Sequence, residues 1–364
     1  MNILLQSGSY YKAGGTNTFV RGLSKALAED GHKTLVICHR LKEDRYKNET
    51  INKNLKIVYY PQVPRKKYFL PFYFLRFLIM FLYNFYWISK EKIQIILVGE
   101  TEAMPFLPFR LFGKKVIIRG GSPLPTHLIS EMRKEIGSKP FNESIIRFYE
   151  KIILFFANSI IALSAWEIEI LAKYSSKKPL IIPYAVDTKF YSPGNKKQKA
   201  LVYVGRIAPI KSIDELIMLF NKIRKKVNVK LWLLGPLDEH YSKDKLLSLS
   251  DYPKAIKFLG QANPEKVSQY YKKSLVFVQT AHDLGNSPIE AAASGLPVVA
   301  KGRFPEKYCI SADEKGFIES VIKLVKDKKF YERISKFNRN YVVNNNSWRV
   351  IASKYEQAFM EQLK

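Results

Sequence analysis

The sequence is poor in cysteine and lacks an evident export signal. Its two cysteines, Cys38 and Cys309, lie far apart in strand-like apolar runs. This pattern excludes a disulfide scaffold and favours buried thiols in a reducing compartment. The stretch from Met1 to Gly15 has no basic residues ahead of its short apolar run, so it does not resemble a secretory signal. These absences predict a cytoplasmic protein.

The common metal-binding patterns are missing too. The chain contains no Asp-x-Asp motif, and the nearest acidic pairs are Glu100 with Glu102 and Glu167 with Glu169. No His and Cys residues are spaced as ligands of a zinc ion would be. We therefore expect no resident metal ion and no other resident cofactor.

Acidic side chains are scarce, because 32 Asp and Glu residues face 60 Lys and Arg residues, a formal charge of +28. A surface this basic attracts polyanions such as nucleic acids, anionic lipids or phosphorylated ligands. Proteins that bind single-stranded nucleic acid combine a basic groove with aromatic side chains on which bases stack. Here the aromatic residues concentrate in one long apolar segment instead, so we expect no nucleic-acid partner.

Apolar residues are abundant, at 47% of the 364 residues. The length exceeds what one hydrophobic core usually fills, which predicts two domains. Short apolar runs alternate with helical patterns, as is typical of an α/β fold with parallel sheets covered by helices. The predicted strands are 3–5, 34–38, 56–60, 94–98, 115–118, 159–163, 201–204, 230–234, 256–259, 275–278 and 297–300. Helices are predicted at 16–30, after a capping box at 164–167, and at 347–363.

One segment, 68–88, departs from this alternation because it is almost wholly apolar and aromatic. Its length just suffices to cross a bilayer, but Arg76 and Asn84 interrupt it and a predicted strand follows directly. Basic residues flank it at 65–67 and at Lys90 and Lys92. Aromatic residues beside cations suit the headgroup zone, which favours a helix packed partly on the sheet and partly on an anionic membrane. A helix wholly inside a large core is the alternative.

Two cations follow the predicted strand 201–204. Gly205 and Arg206 come at its carboxyl end, where α/β folds place ligands, and Lys211 follows five residues later. Two such cations can clamp a diphosphate, or they can be ordinary solvated side chains. A capping box formed by Ser212 and Glu215 is predicted to open the next helix.

A second motif begins at His282 and runs through Gly285-Asn286-Ser287-Pro288-Ile289-Glu290. Ser287 is predicted as the N-cap of a helix, which places helix-start amides beside Gly285 and Asn286, where they can bind an anion. Glu290 is then either a ligand-binding carboxylate or the return partner of Ser287 in a capping box.

These motifs, taken together, resemble the retaining GT-B glycosyltransferases of the family 4 type. The resemblance includes several short sequences in the same order over nearly the whole chain: Gly14-Gly15, the run 182–187, 204–206 with Lys211, 234–235, 258–260, and 290–299. It implies an α/β protein of two Rossmann-like domains facing a cleft, with a C-terminal helix crossing back to the first domain. The corresponding domain bounds are 1–190, 191–344 and 345–364, and a basic linker at 192–199 supports the first boundary.

The resemblance also implies roles for individual residues. Arg206 and Lys211 would clamp the donor pyrophosphate, and Glu290 would bind the ribose. The remaining donor-binding candidates, which would offer backbone groups, are Gly14, Gly15, Gly205, Gly285, Asn286 and Ser287.

The sequence departs from the family pattern in the usual Asn-Gly before Val186, which is Tyr184-Ala185 here, and at two places that concern catalysis. The family has a glutamate eight positions before Glu290, where this chain has His282, with Asp283 next to it. His282 is therefore the predicted catalytic replacement, together with Arg206 and Lys211, and Asp283 is the alternative. Many relatives also have a histidine after the strand 115–118. Here Arg119 takes that place and His127 follows, so these two are the acceptor-side candidates.

The predicted function is a retaining, metal-independent hexosyltransferase that uses a nucleoside-diphosphate sugar. A membrane-associated, lipid-linked glycan acceptor is expected, with the protein bound peripherally to the inner face of the cell membrane. A soluble acceptor, or a weakly active relative that lacks the first glutamate, is the alternative.

Overall fold

A computed structural model describes residues 1–11, 14–39, 47–61, 70–99, 102–120, 148, 151–172, 175–194, 197–239, 241–281 and 285–364. The chain divides into two compact units. Unit 1 comprises Met1–Pro183 and Ile351–Lys364, and unit 2 comprises Tyr184–Val350. The domain bounds predicted from the sequence, 1–190, 191–344 and 345–364, stay a prediction.

Unit 1 has an eight-stranded sheet among its described residues, in the order β3-β4-β2-β1-β5-β6-β7-β8. All neighbouring pairs are parallel except β3 with β4. The strands are β1 (Asn2–Ser7), β2 (Lys33–Cys38), β3 (Glu49–Asn52), β4 (Leu55–Tyr59), β5 (Ile95–Gly99), β6 (Lys115–Arg119), β7 (Ser159–Ala162) and β8 (Leu180–Ile181). The central strands are buried on both faces, which is why they are continuous apolar runs in the sequence.

Helices Gly15–Glu29, Leu70–Lys90 and Ala165–Leu171 and a 3-10 helix, Met104–Phe112, belong to unit 1. The predicted capping box at Ser164 is confirmed in one of its two bonds, because the Ser164 hydroxyl accepts from the Glu167 amide at 3.3 Å. The Glu167 carboxylate instead accepts from the amide of Leu163, one residue before the N-cap, at 2.6 Å.

Unit 2 has a six-stranded, wholly parallel sheet in the order β11-β10-β9-β12-β13-β14. Its strands are β9 (Ala200–Val204), β10 (Lys230–Leu234), β11 (Ile256–Gly260), β12 (Val276–Gln279), β13 (Val298–Lys301) and β14 (Cys309–Ala312). Its helices are Ile213–Arg224, Lys243–Leu247, Pro264–Lys273, Ser287–Ala293, Glu314–Lys326 and Lys328–Asn346, with short 3-10 turns at Pro209–Lys211 and Pro253–Ala255.

The last helix, Trp348–Leu363, returns the chain to unit 1, as expected. Tyr355 and Phe359 are fully buried there, and the Tyr355 ring lies 5.5 Å from that of Phe19 on the first helix. The apolar side of this helix therefore completes the core of unit 1.

Candidate functional site

The strand order of unit 2 defines where a ligand binds. From β9 the chain adds β10 and β11 on one side, and then crosses to add β12 and β13 on the other side. In such doubly wound sheets the ligand occupies a crevice outside the carboxyl ends of the strands at which the order reverses. Here these strands are β9 and β12, and the predicted phosphate-binding residues follow β9 directly.

Arg206 follows β9 and its side chain is exposed. A buried hydroxyl fixes its backbone, because Tyr203 donates to the Arg206 carbonyl at 3.0 Å. The Tyr203 side chain is only 1% exposed. The guanidinium group is thus free to extend from an anchored peptide.

Two glycines allow β9 and β10 to end close together. Gly205 and Gly235 have φ values of 155° and 147°, which side-chain-bearing residues rarely adopt. A Cβ atom on Gly235 would lie 1.8 Å from the Gly205 carbonyl oxygen. Gly235 therefore has to be glycine for the peptide before Arg206 to keep its place.

Lys211 ends the short turn Pro209–Lys211 and is half-buried. Ser212 follows with a φ of 48°, an uncommon value for a residue with a side chain. The Thr280 hydroxyl, buried at the end of β12, donates to the Ser212 carbonyl at 2.7 Å. A switch-point strand thereby holds the turn that carries Lys211.

The predicted capping box between Ser212 and Glu215 is wrong. Ser212 is the N-cap of the helix Ile213–Arg224, but its left-handed backbone leaves the side chain without a capping hydrogen bond. Glu215 forms an ion pair with Lys301 at the end of β13 instead.

The N-cap prediction for the helix Ser287–Ala293 is one residue late. Asn286 is the N-cap, in a helical conformation that gives its side chain no capping bond, and Ser287 is already the first helical residue. Gly285 has a left-handed φ of 63°, which glycine accommodates without strain. Gly285, Asn286 and Ser287 all follow β12 and so lie on the crevice side of the sheet.

Tyrosine hydroxyls surround the Glu290 carboxylate, which was predicted to bind ribose. Tyr271 lies with its hydroxyl 3.3 Å from Glu290 Oε2 and 3.1 Å from the Ser287 carbonyl. Burial raises the pKa of Glu290 to about 7, although hydrogen bonds from Tyr271 and Tyr191 work in the opposite direction. The carboxyl group therefore changes charge near neutral pH, which a surface glutamate does not do.

The Tyr191 backbone is itself held by Arg339. The guanidinium donates to the carbonyls of Tyr191 at 2.8 Å, Ala293 at 2.6 Å and Thr188 at 2.9 Å. Ala293 ends the helix that carries Glu290. One arginine therefore joins that helix to the segment from which Tyr191 reaches the carboxylate.

The remaining described candidates belong to unit 1. Gly14 is the N-cap of the helix Gly15–Glu29, and it follows β1. The Arg119 guanidinium lies 3.6 Å from the centroid of the Phe19 ring and the residue is 8% exposed. Its side chain is thus committed to packing within unit 1, and the acceptor role of Arg119 stays a prediction.

Three predicted residues, His127, His282 and Asp283, lie outside the described residues, so their roles also stay predictions. In the part of the chain that is described, no group of three or more His, Cys, Asp and Glu side chains is arranged to hold a metal ion.

Sequence reasoning missed the hydroxyl groups that fix the site. Each of these groups bonds to a residue predicted to bind the donor or to a peptide next to such a residue. They belong to Tyr203, Thr280, Tyr271 and Tyr191. Polar side chains at or next to the ends of apolar strands were the available signal for Tyr203 and Thr280. No local pattern marks the tyrosines at 191 and 271, because they are distant in sequence from Glu290.

Two parallel-sheet α/β units, one carrying this crevice, define a GT-B glycosyltransferase fold. The whole chain superposes on sucrose-phosphate synthase from Thermosynechococcus elongatus with a TM-score of 0.80 and 20% identity, covering 100% of this chain and 99% of that one. It also superposes on WaaG, a glycosyltransferase involved in lipopolysaccharide biosynthesis, with a TM-score of 0.64 and 13% identity over 98% of each chain.

Two family models match the sequence in succession. The model of Glycosyltransferase Family 4 matches residues 13–190, and that of Glycosyl transferases group 1 matches residues 187–341. Together the two matches show that the chain belongs to the glycosyltransferases of the family 4, or group 1, type, as the sequence motifs indicated. A capsular polysaccharide biosynthesis glycosyltransferase, CapM of Staphylococcus aureus, is 28% identical over 308 residues, which cover 76% of this chain and 78% of that protein.

Proposed function

We propose that this glycosyltransferase moves a hexose from a nucleoside-diphosphate sugar to a membrane-associated, lipid-linked glycan, with retention of the anomeric configuration and without a metal ion. The anchored pair Arg206 and Lys211 at the switch point of unit 2 carries the proposal. CapM acts in capsular polysaccharide biosynthesis and WaaG in lipopolysaccharide biosynthesis, which supports a glycan acceptor.

Negative charge develops on the leaving diphosphate during the reaction, and the cations Arg206 and Lys211 would stabilise it. As the bond between the anomeric carbon and the diphosphate oxygen breaks, negative charge grows on the leaving group. Preorganised donors at such a position typically contribute about 10²- to 10³-fold in rate each. Arg206 and Lys211 are our candidates for these donors, because Tyr203 fixes the Arg206 peptide and Thr280 bonds to the carbonyl of Ser212, next to Lys211.

Where the protein supplies no nucleophile, retention follows if the acceptor attacks from the face that the leaving group vacates. The acceptor oxygen forms the new bond to the anomeric carbon, and its proton passes to an oxygen of the departing diphosphate. Atoms and charge balance without a covalent intermediate on the protein. In this scheme Glu290 orients the nucleoside by accepting hydrogen bonds from ribose hydroxyls.

Nucleotide binding is the first test. A nucleoside diphosphate or its sugar at 100 times its Kd is expected to raise the free energy of unfolding by about 2.7 kcal/mol in a thermal-shift screen. Arg206→Ala and Lys211→Ala are each expected to weaken binding about 10- to 100-fold, since each loses charge-assisted hydrogen bonds. Lys226→Ala is the matched control, because this exposed cation of unit 2 lies at the other end of the sheet, just ahead of β10. Equal affinity in all three variants would contradict the diphosphate clamp.

A membrane acceptor is supported by an apolar face on unit 1. The helix Leu70–Lys90 buries one side, including Asn84 and Trp87, and exposes Leu75, Leu78, Leu82, Phe85 and Tyr86 on the other. This burial pattern is consistent with the predicted helix that packs on the sheet along one side only. No helix among the described residues is long and apolar enough to cross a membrane.

Two further segments extend this apolar face. Leu111 and Phe112, at the end of the 3-10 helix, are 89% and 55% exposed, and the Phe112 ring lies 5.8 Å from that of Phe85. Arg110 donates to the Phe156 carbonyl at 3.1 Å, which places the exposed residues Phe155 and Phe156 beside the 3-10 helix. Exposed apolar patches of this kind mark interaction sites in soluble proteins.

Cations border the apolar face, which suits an anionic lipid surface. Lys90 is exposed and donates to the Tyr86 hydroxyl at 2.8 Å, and Arg110 is exposed as well. The basic cluster at 65–67 lies outside the described residues. Each cation near an anionic surface contributes about 1 kcal/mol, and inserted apolar side chains add to it. Reversible attachment at the cytoplasmic side of the membrane follows from the proposal.

Vesicle binding tests this attachment. The protein is expected to co-sediment with anionic vesicles, less so at high salt, and hardly with zwitterionic ones. Leu82→Glu combined with Phe112→Glu is expected to reduce binding at least about tenfold, since it places charge where apolar insertion occurs. Met218→Glu, at an exposed apolar position of unit 2, is the control. If the double variant binds as the wild type does, the apolar face is not the contact, and a soluble acceptor is favoured.

A further inference from the structure

We propose that His39 and Glu102 form an acceptor-binding pair in unit 1, where they bind hydroxyl groups of the sugar that receives the transferred hexose. The inference rests on the proposed function, and it assigns the acceptor to side chains that the sequence motifs did not indicate. His39 Nε2 lies 2.8 Å from Glu102 Oε2.

In the sheet of unit 1 the order in which the chain adds strands reverses at β1, as it does at β9 in unit 2. From β1 the chain adds β2 and then β4 on one side, and it then crosses to add β5 on the other. The ligand crevice of unit 1 is therefore expected outside the carboxyl ends of β1 and β5. His39 directly follows β2, and Glu102 lies three residues after the end of β5.

The pair spans this crevice. Because β1 lies between β2 and β5 in the sheet, the hydrogen bond from His39 to Glu102 passes across the carboxyl end of β1. The His39 amide also donates to the carbonyl of Ser7, the last residue of β1, at 3.3 Å. The Ser7 hydroxyl in turn donates to Asn17 at 3.0 Å, on the helix Gly15–Glu29. The pair thus belongs to the same edge of the sheet as the start of that helix.

The chemistry of the pair suits a sugar. An imidazole offers two ring nitrogens, and Glu102 engages one of them, which leaves the ring oriented for a hydrogen bond through the other. The Glu102 side chain is 35% exposed and the His39 side chain 12%. Aromatic packing limits the ring further, since Tyr60 lies 5.1 Å from it between centroids. A carboxylate and an oriented imidazole can together bind neighbouring hydroxyls, which donate and accept in turn.

The chain carries a matched control for this pair. His32 and Glu356 form the same kind of contact, with His32 Nε2 3.0 Å from Glu356 Oε1 and side-chain exposures of 12% and 31%. His32 directly precedes β2, whereas His39 directly follows it. The two pairs therefore agree in their His–Glu contact and in exposure but lie at opposite ends of one strand, and only the His39 pair is on the edge where a ligand is expected. They differ in one respect, because His32 Nδ1 also lies 3.2 Å from the N-terminal amine of Met1.

Transfer assays separate acceptor binding from donor binding. Wild type, His39→Gln, Glu102→Gln and His32→Gln are supplied with tritiated UDP-glucose, UDP-N-acetylglucosamine and GDP-mannose. Aqueous and chloroform–methanol extracts of the cells that produce the protein serve as the acceptor. Three quantities are measured: transfer at subsaturating extract, donor hydrolysis by water, and the Kd of the matching nucleoside diphosphate.

His39→Gln and Glu102→Gln are expected to lower transfer about 10- to 100-fold, the usual loss for a hydrogen bond to a charged or oriented group. The Kd and the rate of donor hydrolysis are expected to change less than about twofold, and His32→Gln to change none of the three. Wild-type transfer in His39→Gln, or an equal loss in His32→Gln, would overturn the acceptor pair. A wild-type protein that binds no nucleoside diphosphate would contradict the proposed function instead.

Discussion

Gly235→Ala is expected to abolish nucleotide binding and to lower the free energy of unfolding by about 3 kcal/mol or more, since it combines overpacking with backbone strain. The added Cβ would lie 1.8 Å from the Gly205 carbonyl oxygen, and that contact is with backbone, which no side-chain rotation relieves. Either β9 and β10 separate at their ends or the peptide before Arg206 turns away. Both movements displace Arg206, which we propose binds the diphosphate.

Urea unfolding and nucleotide affinity, measured on the same protein, check this prediction. Gly260→Ala is the control, because Gly260 has a left-handed φ of 69° in the same unit but no atom within 4 Å of an added Cβ. Gly260→Ala is expected to lower the free energy of unfolding by only about 1–2 kcal/mol, because of the left-handed backbone. Its nucleotide affinity is expected to stay nearly unchanged. Similar losses in both variants would show that conformation, and not the close approach to Gly205, makes glycine necessary at 235.

Glu290→Gln is expected to weaken nucleoside diphosphate binding about 100-fold at pH 8, because it removes the carboxylate that we propose accepts hydrogen bonds from ribose hydroxyls. In the wild type, burial raises the pKa of Glu290 from 4.5 to about 7. If the ionised form binds ribose, affinity rises with pH and levels off above about pH 7. Titration calorimetry from pH 5.5 to 8.5 measures the affinity and the midpoint pH of its change.

Stability without ligand is expected to change in the opposite direction. Below about pH 4.5 Glu290 is protonated in both folded and unfolded chains, and its raised pKa favours the folded state fully. As pH rises towards 7, only the unfolded chain ionises freely, so this contribution declines. Glu290→Gln removes both trends. Tyr271→Phe, which deletes a hydrogen bond that lowers the pKa of Glu290, is expected to move the affinity midpoint upwards in pH. A midpoint unchanged in both variants would assign the pH dependence to another group.

The alternation of apolar runs predicted eleven strands that the structure contains, with shifts of one or two residues at their ends. It missed Glu49–Asn52, Leu180–Ile181 and Cys309–Ala312. The first is a largely exposed edge strand of polar composition, and the second has only two residues. All four residues of the third are half-buried. Each obtains its conformation from pairing with a neighbouring strand rather than from its own pattern.

For the candidate site, motif spacing indicated the candidate ligand-binding residues but not the side chains that hold their backbone or bond to them. Arg206, Lys211 and Glu290 belong to continuous motifs, and such motifs are visible in one chain. Thr280 reaches the turn of Lys211 across 68 positions, and Tyr271 reaches Glu290 from a different helix. The Ser212 prediction failed because a left-handed backbone redirected the side chain, which residue type alone does not show.

The return of the last helix to unit 1 also makes unit 2 an insertion. Residues 184–350 leave unit 1 after Pro183 and rejoin it at Ile351, so the chain passes between the units twice. Unit 2 is therefore tethered at both ends, and an exchange of this unit between relatives must join the chain at two positions rather than one. Truncation at the carboxyl terminus, though distant in sequence from β1, would remove part of the core around Phe19 and Tyr355. The core of unit 1 is thus complete only once Ile351–Lys364 have been synthesised, after the whole of unit 2.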